Sequence, residues 1–147
     1  MGVFVPSATQ YCSFEKRWDS DGTVWLQVQS HDALVAKTPY GIVANEFGWI
    51  TQALPASGKY IYVGVPAAAV AASGEIVLVQ IGGYLTNMIT PALDLSVGHG
   101  LTVNTGAVAD IAADYSGAAG EFAVATVAGG SVEVQTVMLI PERILTI

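Results

Sequence analysis

Charged side chains are scarce in this 147-residue chain, at 12% of the residues. Soluble domains typically carry about 25% charged residues. Hydrophobic residues make up 52%, so few charges are present to solvate a large amount of apolar side chain. We therefore expect other subunits to cover part of the surface, which predicts a homo-oligomer. The length fits one domain with a sizeable core.

Basic residues are few as well, with five Lys and Arg against twelve Asp and Glu and a formal net charge of -7. Proteins that bind nucleic acid present clustered Lys and Arg, so we expect no nucleic-acid partner. Long apolar runs are also missing, since none approaches the roughly 20 residues of a membrane span. We therefore expect no membrane partner.

Residues that carry chemistry are rare. The single cysteine, Cys12, excludes an intrachain disulfide framework and a CxxC metal site, and we interpret it as an inert thiol. His31 and His99 have no second ligand at a metal-binding spacing. Nucleophile-elbow, phosphate-loop and dinucleotide motifs are absent from the sequence. The sequence predicts no enzymatic activity, no catalytic residue, no metal and no cofactor.

Three acid–base candidates have simpler interpretations. His31-Asp32 resembles an oriented general base, but it follows a predicted strand and a polar turn is favoured. His99 lies between glycines in VGHG, which indicates a tight turn. Asp110 and Asp114 would share one helix face if AVADIAA were helical, as a glycosidase or cation site requires, although solvated loop charges are favoured. A small hydrolase that uses His99 or Asp110 is one alternative function.

The segment 1–22 is predicted to form an extended N-terminal arm. Its aromatic spacing fits neither helix nor strand, and aromatics are depleted in disordered segments, so we expect the arm to dock on a surface. The candidate contact residues of this arm are Phe4, Tyr11, Phe14, Lys16, Arg17 and Trp18, and the surface they contact belongs to this chain or to another subunit. Met1–Gln10 lacks the basic start and apolar core of a secretory signal, so we expect no export.

Residues 23–147 are predicted to form a single β domain with a core motif region at 58–140. Thr23–Gln29 alternates apolar and polar residues after the Asp21-Gly22 turn, as a half-buried strand does. Gly82-Gly83 is predicted to connect two strands as a hairpin. The remaining predicted strands are Ala33–Ala36, Ile42–Ala44, Trp49–Leu54, Tyr60–Val65, Glu75–Ile81, Tyr84–Ile89, Leu101–Asn104, Glu121–Val127 and Val132–Ile140. The predicted fold class is all-β, a compact antiparallel β-barrel or sandwich with an extended N-terminal arm.

A weak internal repeat supports this architecture. GIVANEFGWIT from Gly41 and GLTVNTGAVAD from Gly100 share a Gly-x-x-x-Asn frame, and their positions differ by 100 − 41 = 59. GKYIYVGV from Gly58 and GEFAVATV from Gly120 share a Gly-charged-aromatic frame, and their positions differ by 120 − 58 = 62. Similar offsets in the same order indicate two related strand units, although short matches in a Gly- and Ala-rich chain also arise by chance.

The core motif region resembles a known family. VGVPAAAVAASGEIVLVQIGGYLT, LSVGHGLTVNTGAVADIAA and GAAGEFAVATVAGGSVEVQTVMLI together resemble the capsid cement, or head decoration, proteins of tailed bacteriophages. The resemblance covers a little over half of the chain, and the segment from Met1 to Asp32 does not align with the family.

The resemblance implies a structural virion protein without enzymatic activity. Such proteins form compact β-barrel-like domains that assemble as trimers and bridge neighbouring major capsid subunits on the outer surface of the shell. It implies the major capsid protein and further copies of this chain as partners, and a location on the virion after synthesis in the host cytoplasm.

The alternative function is a carbohydrate-binding β-sandwich. Trp25, Trp49 and Tyr84 would then be exposed platforms on which sugar rings stack. Since these aromatics lie in strand-like patterns, core packing is the favoured interpretation of each.

Overall fold

The computed structural model describes residues 15–46, 48–54, 59–60, 62–118, 120–141 and 145–146. All regular secondary structure in this part of the chain is strand, which confirms the predicted all-β class. The strands are β1 (Lys16–Trp18), β2 (Val24–Gln29), β3 (Tyr40–Asn45), β4 (Gly48–Gln52), β5 (Lys59–Tyr60), β6 (Tyr62–Pro66), β7 (Ile76–Leu95), β8 (His99–Asn104), β9 (Ala107–Asp114), β10 (Glu121–Ala125), β11 (Gly129–Leu139) and β12 (Leu145–Thr146). None of the described segments forms a helix long and apolar enough to cross a membrane.

Five strands close a barrel, in the order β2-β4-β3-β6-β7 and back to β2. All its ladders are antiparallel except β2–β4, where Gln29 pairs with Ile50 in parallel. The alternation along β2 turns Val24, Leu26 and Val28 into the barrel, and each is at most 1% exposed. Burying one such side chain stabilises the fold by about 1.5–3 kcal/mol. The interior is completed by Ile42, Trp49, Val79 and Ile81.

The second half of β7 begins another unit. Residues 76–82 of β7 pair with β2, whereas residues 83–95 pair with β11. The sheet then continues from β11 through β10 and β8 to β9. Its core includes Leu85, Met88, Leu101, Phe122 and Val137, all at most 5% exposed. This cluster also includes Val63 and Val65 of β6, so the first unit packs against the second, and the long strand β7 belongs to both.

The predicted hairpin at Gly82-Gly83 is wrong, because β7 continues through both glycines. Gly83 adopts φ +88, which favours glycine, but the chain does not reverse there. The Gln80 side chain donates to the carbonyls of Gly82 and Tyr84 at 3.0 and 2.9 Å and stabilises this conformation. Gly83 also lies against the backbone of Gly22, where a side chain would not fit. The glycine pair thus serves close packing between the units.

The predicted internal repeat is present in the strand pairing. In β3–β4, Asn45 pairs with Gly48, and in β8–β9 Asn104 pairs with Ala107, so both partners move by the same offset, 104 − 45 = 107 − 48 = 59. β6 and β10 correspond at an offset of 124 − 63 = 61, since Val63 pairs with Gly41 and Val124 with Gly100. This is one less than the offset of 62 predicted from the frames at Gly58 and Gly120, so the second frame was misaligned by one residue. The order β4-β3-β6-β7 of the first unit therefore matches β9-β8-β10-β11 of the second.

The second unit lacks the ladder that closes the first. Matching β6–β7 with β10–β11, and β2–β7 with β7–β11, places Met88 and Ile89 at the positions of Leu26 and Gln27, with an offset of 88 − 26 = 62. The β7–β11 register then shifts before Leu93, and Pro91, which has no backbone N–H to donate, lies within this shift. Among the described strands, β7 and β9 approach each other but form no ladder.

Two local predictions need correction. Ala33–Ala36 is not a strand; Leu34 forms only an isolated bridge with Val70, and Lys37 has φ 63. The segment AVADIAA, which was not assigned to a strand, forms strand β9 by pairing with β8. Lys16–Trp18, assigned to an irregular arm, is a strand that pairs with β2. The predicted strands in β2, β3, β4, β6, β8, β10 and β11 are confirmed within a few residues at their ends.

Candidate functional site

The predicted contact residues Lys16, Arg17 and Trp18 lie on a β-hairpin formed by β1 and β2. The turn that joins the strands is closed by backbone bonds between Asp19 and Thr23, at 2.9 Å, and between Gly22 and Asp19, at 3.1 Å. Gly22 adopts φ +85, which explains why the Asp21-Gly22 turn signal is correct. The hairpin holds what was predicted to be an arm as the edge of the sheet.

A chain of hydrogen bonds orients Trp25 on the outer face of this hairpin. Asp21 Oδ1 accepts from both the amide and the hydroxyl of Thr23, at 3.0 and 2.6 Å. The Thr23 hydroxyl oxygen in turn accepts from Trp25 Nε1 at 2.8 Å. Because the Thr23 side chain and backbone stabilise the ionised carboxylate, the pKa of Asp21 lies below its ordinary value.

Both basic residues of β1 contact aromatic rings. The Arg17 guanidinium lies 5.7 Å from the centre of the Trp25 ring and forms two hydrogen bonds to the Asp19 carboxylate, at 3.0 and 3.2 Å. Lys16 Nζ lies 5.0 Å from the centre of the Tyr62 ring. At such exposed positions, a cation–π contact is worth about 0.5–1 kcal/mol. The two cations lie on opposite faces of the hairpin, because Arg17 pairs with Trp25 whereas Lys16 pairs with buried Leu26.

The hairpin combines these charges with exposed apolar side chains. A cavity of about 390 Å³ is lined by Glu15, Lys16, Arg17, Trp25, Gln27 and Leu78. Trp18 is 62% exposed next to it on β1, and Ile76 and Leu78 on β7 are also exposed. We call this set of residues, including Trp18 and Ile76, the hairpin surface. An exposed tryptophan beside a paired arginine has the composition of an interface anchor.

Three predicted contact residues, Phe4, Tyr11 and Phe14, lie outside the described residues, and so does Cys12. The assignment of the three aromatics as contacts and that of Cys12 as an inert thiol stay predictions.

His99 pairs with Asp110, a contact that the sequence reasoning missed. Its Nδ1 lies 3.1 Å from both carboxylate oxygens of Asp110, across the β8–β9 ladder. Asp110 also accepts from the amide of Ala112, which has φ 55. A carboxylate paired with an imidazole and a backbone amide stabilises a β-bulge in β9. The helical pairing of Asp110 with Asp114 is wrong, since both residues lie on a strand.

His31 is oriented by Thr51 and not by its neighbour Asp32. His31 Nδ1 lies 2.7 Å from Thr51 Oγ1, and the His31 amide donates to the same oxygen at 3.0 Å. Thr51 is 1% exposed, so its hydroxyl has no route to a substrate. Asp32 accepts from the amide of Ala33, as in a polar turn. Within the described ranges, no group of three or more His, Cys, Asp or Glu side chains could hold a metal ion.

The proposed sugar-stacking aromatics have three different environments. Trp49 is 8% exposed and packs edge-on against Tyr62 inside the barrel, so it cannot receive a sugar ring. Trp25 is half-buried next to the Arg17 guanidinium, whereas Tyr84 is 52% exposed. The core interpretation is therefore correct for Trp49 and wrong for Tyr84.

Neither a protein-family model nor a curated protein matches the chain in sequence. Its fold has a known counterpart. The chain is similar to the head fiber gp8.5 N base in bacteriophage phi29, with a TM-score of 0.50 and 14% sequence identity. The match covers 82% of this chain and 97% of the phage structure. At this low identity the similarity concerns the fold, and it spans both β units.

A second exposed apolar region lies on the outer face of the second unit. Tyr84 pairs with Met138 and Ile89 with Val134 across the β7–β11 ladder, and all four side chains are 38–52% exposed. Sequence reasoning considered Tyr84 as an alternative sugar platform and treated the other three as ordinary strand residues. The alternation of VEVQTVML was the available signal, because it places Val134 and Met138 on the face opposite buried Gln135 and Val137.

Proposed function

We propose that this protein is a structural component of a phage virion that binds the outer surface of the capsid. The observation that carries the proposal is the fold similarity to the head fiber gp8.5 N base over nearly the whole of that structure. The resemblance of residues 63–140 to capsid cement proteins supports the same assignment independently of the fold. The proposal includes decoration and bridging of major capsid subunits by a homotrimer, without catalysis and without a nucleic-acid or membrane partner.

Two surfaces support an assembly role. The hairpin surface presents exposed Trp18 and Arg17 at neighbouring positions of β1, and the β7–β11 face presents Tyr84 and Met138. Exposed apolar side chains of this kind are typical of protein interfaces. We assign the hairpin surface to the capsid, with the N-terminal aromatics Phe4, Tyr11 and Phe14 contributing either to the capsid or to the contact between copies. Several modest interfaces in one trimer would strengthen binding by avidity.

The experiment uses capsids of the encoding phage that lack this protein. Purified protein is added, and bound copies are quantified by cosedimentation and cryo-electron microscopy. We expect saturable binding at symmetry-related positions. Trp18→Ala should weaken binding by at least tenfold, since tryptophan is a preferred interface anchor. Val97→Ala is the matched control, because Val97 is also 62% exposed but lies in the turn between β7 and β8, outside the hairpin surface.

The outcomes separate the function from the site. Absence of wild-type binding to capsids would contradict the proposed function. Binding in which W18A and V97A behave alike would retain the function and refute the hairpin surface as the contact. Binding of isolated protein to a glycan array, lost on Tyr84→Ala, would instead favour the carbohydrate-binding alternative.

A further inference from the structure

A groove of about 310 Å³ lies where the open side of the second unit meets the first unit. The second half of β7 contributes Ile89 and Pro91, β9 contributes Val108, and the first unit contributes Tyr40 and Leu54. Every described residue that lines the groove is uncharged. This volume is at the lower end of ligand pockets and suits a side chain more than an extended molecule.

The backbone around the groove does not favour an added strand. Pro91 has no N–H, and the Ile89 amide already donates to the carbonyl of Lys37 at 2.8 Å. An incoming strand would therefore find two successive positions on this edge of β7 without a free donor. The groove is suited to a side chain that inserts from outside.

The first unit indicates which side chain is missing. Trp49 packs against Tyr62 inside the closed barrel, with ring centres 5.6 Å apart. The corresponding residues of the second unit, at offsets of 59 and 61, are Val108 and Ala123. The second unit thus has small aliphatic residues where the first has two rings. Val108 and Ala123 are both buried in the core of the second unit, and Val108 also lines the groove, so an aromatic ring from elsewhere would pack against Val108.

We propose that an aromatic side chain from residues Met1–Phe14 of a second copy of this chain occupies the groove. This segment contains Phe4, Tyr11 and Phe14 and no Asp, Glu, Lys or Arg, which matches the uncharged lining. When fully extended, the 14 residues Met1–Phe14 span about 46 Å. That reach exceeds the radius of gyration of about 15 Å expected for a domain of this size, so the segment is long enough to reach an adjacent copy.

This inference rests on the homo-oligomeric part of the proposed function and names its contact. It assigns the N-terminal aromatics to the interface between copies and leaves the hairpin surface for the capsid. Because each copy offers one segment and one groove, the contact is head-to-tail and closes when the copies form a ring.

The test uses two full-length variants in sedimentation velocity, without capsids. Ala53→Trp fills the groove from an exposed lining position and keeps the N-terminal aromatics. The triple variant Phe4→Ala, Tyr11→Ala, Phe14→Ala keeps the groove and removes the rings. We expect wild type to self-associate, each variant alone to self-associate at least tenfold more weakly, and a 1:1 mixture of the two to form a complex. Ala68→Trp, at an exposed alanine away from the groove, should behave as wild type.

Circular dichroism melts check that the variants are folded, and Ala107→Trp is a second groove variant. Unchanged self-association of the triple variant would overturn the proposal, because the contact would then lie elsewhere. A monomeric wild type would also overturn it and would indicate that the segment binds its own chain or none. A mixture that stays dissociated would refute the exchange between copies. Capsid binding is measured separately, so either failure is distinguishable from failure of the proposed function.

Discussion

The packing of the first hairpin against the junction of the two units can be measured with one pair of glycine substitutions. Gly83 and Gly22 have nearly the same backbone conformation, with φ +88 and +85. They differ in the space around them. A Cβ atom at Gly83 would lie 2.7 Å from Gly22 O and 2.8 Å from Thr23 Cα, whereas a Cβ atom at Gly22 would meet nothing within 4 Å. Gly22→Ala is therefore a control for the backbone cost of Gly83→Ala.

The expected magnitudes follow from these two contributions. An L-residue in the left-handed region costs about 1–2 kcal/mol, which applies to both variants. The backbone contacts at Gly83 add about 1–3 kcal/mol, because the hairpin turn must move away from β7. We therefore expect Gly83→Ala to lower the free energy of unfolding by about 2–5 kcal/mol, a large share of the roughly 5–15 kcal/mol typical of a domain. Gly22→Ala should cost only the first part.

The assay is equilibrium urea unfolding, followed by tryptophan fluorescence and far-ultraviolet circular dichroism. Coincident transitions would establish two-state behaviour and permit a comparison of free energies. Equal destabilisation by the two substitutions would refute the close approach of Gly22 to Gly83. It would also remove the steric explanation for the failure of the hairpin prediction at Gly82-Gly83.

Three further predictions concern stability. The urea midpoint of Asp21→Asn should fall below that of wild type near neutral pH, and the difference should vanish with acidification; a constant gap between pH 6 and pH 2 would contradict this. The sign follows from the pKa of Asp21, which is lower in the folded protein than its ordinary value of 3.8. The ionised carboxylate therefore stabilises the fold fully at a pH above 3.8, and this stabilisation is lost as the pH falls through the pKa of the folded state. Glu121→Gln should lower the free energy of unfolding in urea by about 1–3 kcal/mol. The Glu121 carboxylate is 3% exposed and accepts hydrogen bonds from three consecutive loop amides, those of residues 116–118. Hydrogen bonds to a charged acceptor are stronger than those to the neutral amide that replaces it. Glutamine with unchanged stability would show that an uncharged acceptor suffices. Trp49→Ala should cost about 3–5 kcal/mol by calorimetry, as for a buried core ring, and a cost under about 1 kcal/mol would place the indole outside the core.

Local patterns were sufficient to predict most strands. The alternation in Thr23–Gln29 predicted β2 and its buried face, and the Gly-x-x-x-Asn frame at Gly41 and Gly100 predicted related strand units, whose pairings agree from Ile42 to Asn45 and from Leu101 to Asn104. Gly82-Gly83 misled because a glycine pair permits a turn but does not require one. Whether the chain reverses there depends on β2, β6 and β11, which lie far away in the sequence.

The candidate site was predictable only in part. Aromatic and basic composition identified Lys16, Arg17 and Trp18, but their strand pairing could not be recognised, because so short a strand is unable to display a period. The pairing of His99 with Asp110 required the β8–β9 register. The exposed β7–β11 face required knowing which side of β11 contacts the core.

By itself the sequence determined the all-β class, the position of most strands, the repeat and the uncharged, aromatic-rich start of the chain, because each depends on residues close together along it. Only the tertiary structure decided that β7 is shared by two units, that no ladder joins β7 to β9 among the described strands, and that residues from 38 to 108 converge on one groove. These features depend on pairing between distant segments. Such pairing is selected by the packing of the whole core and leaves no local periodicity to read.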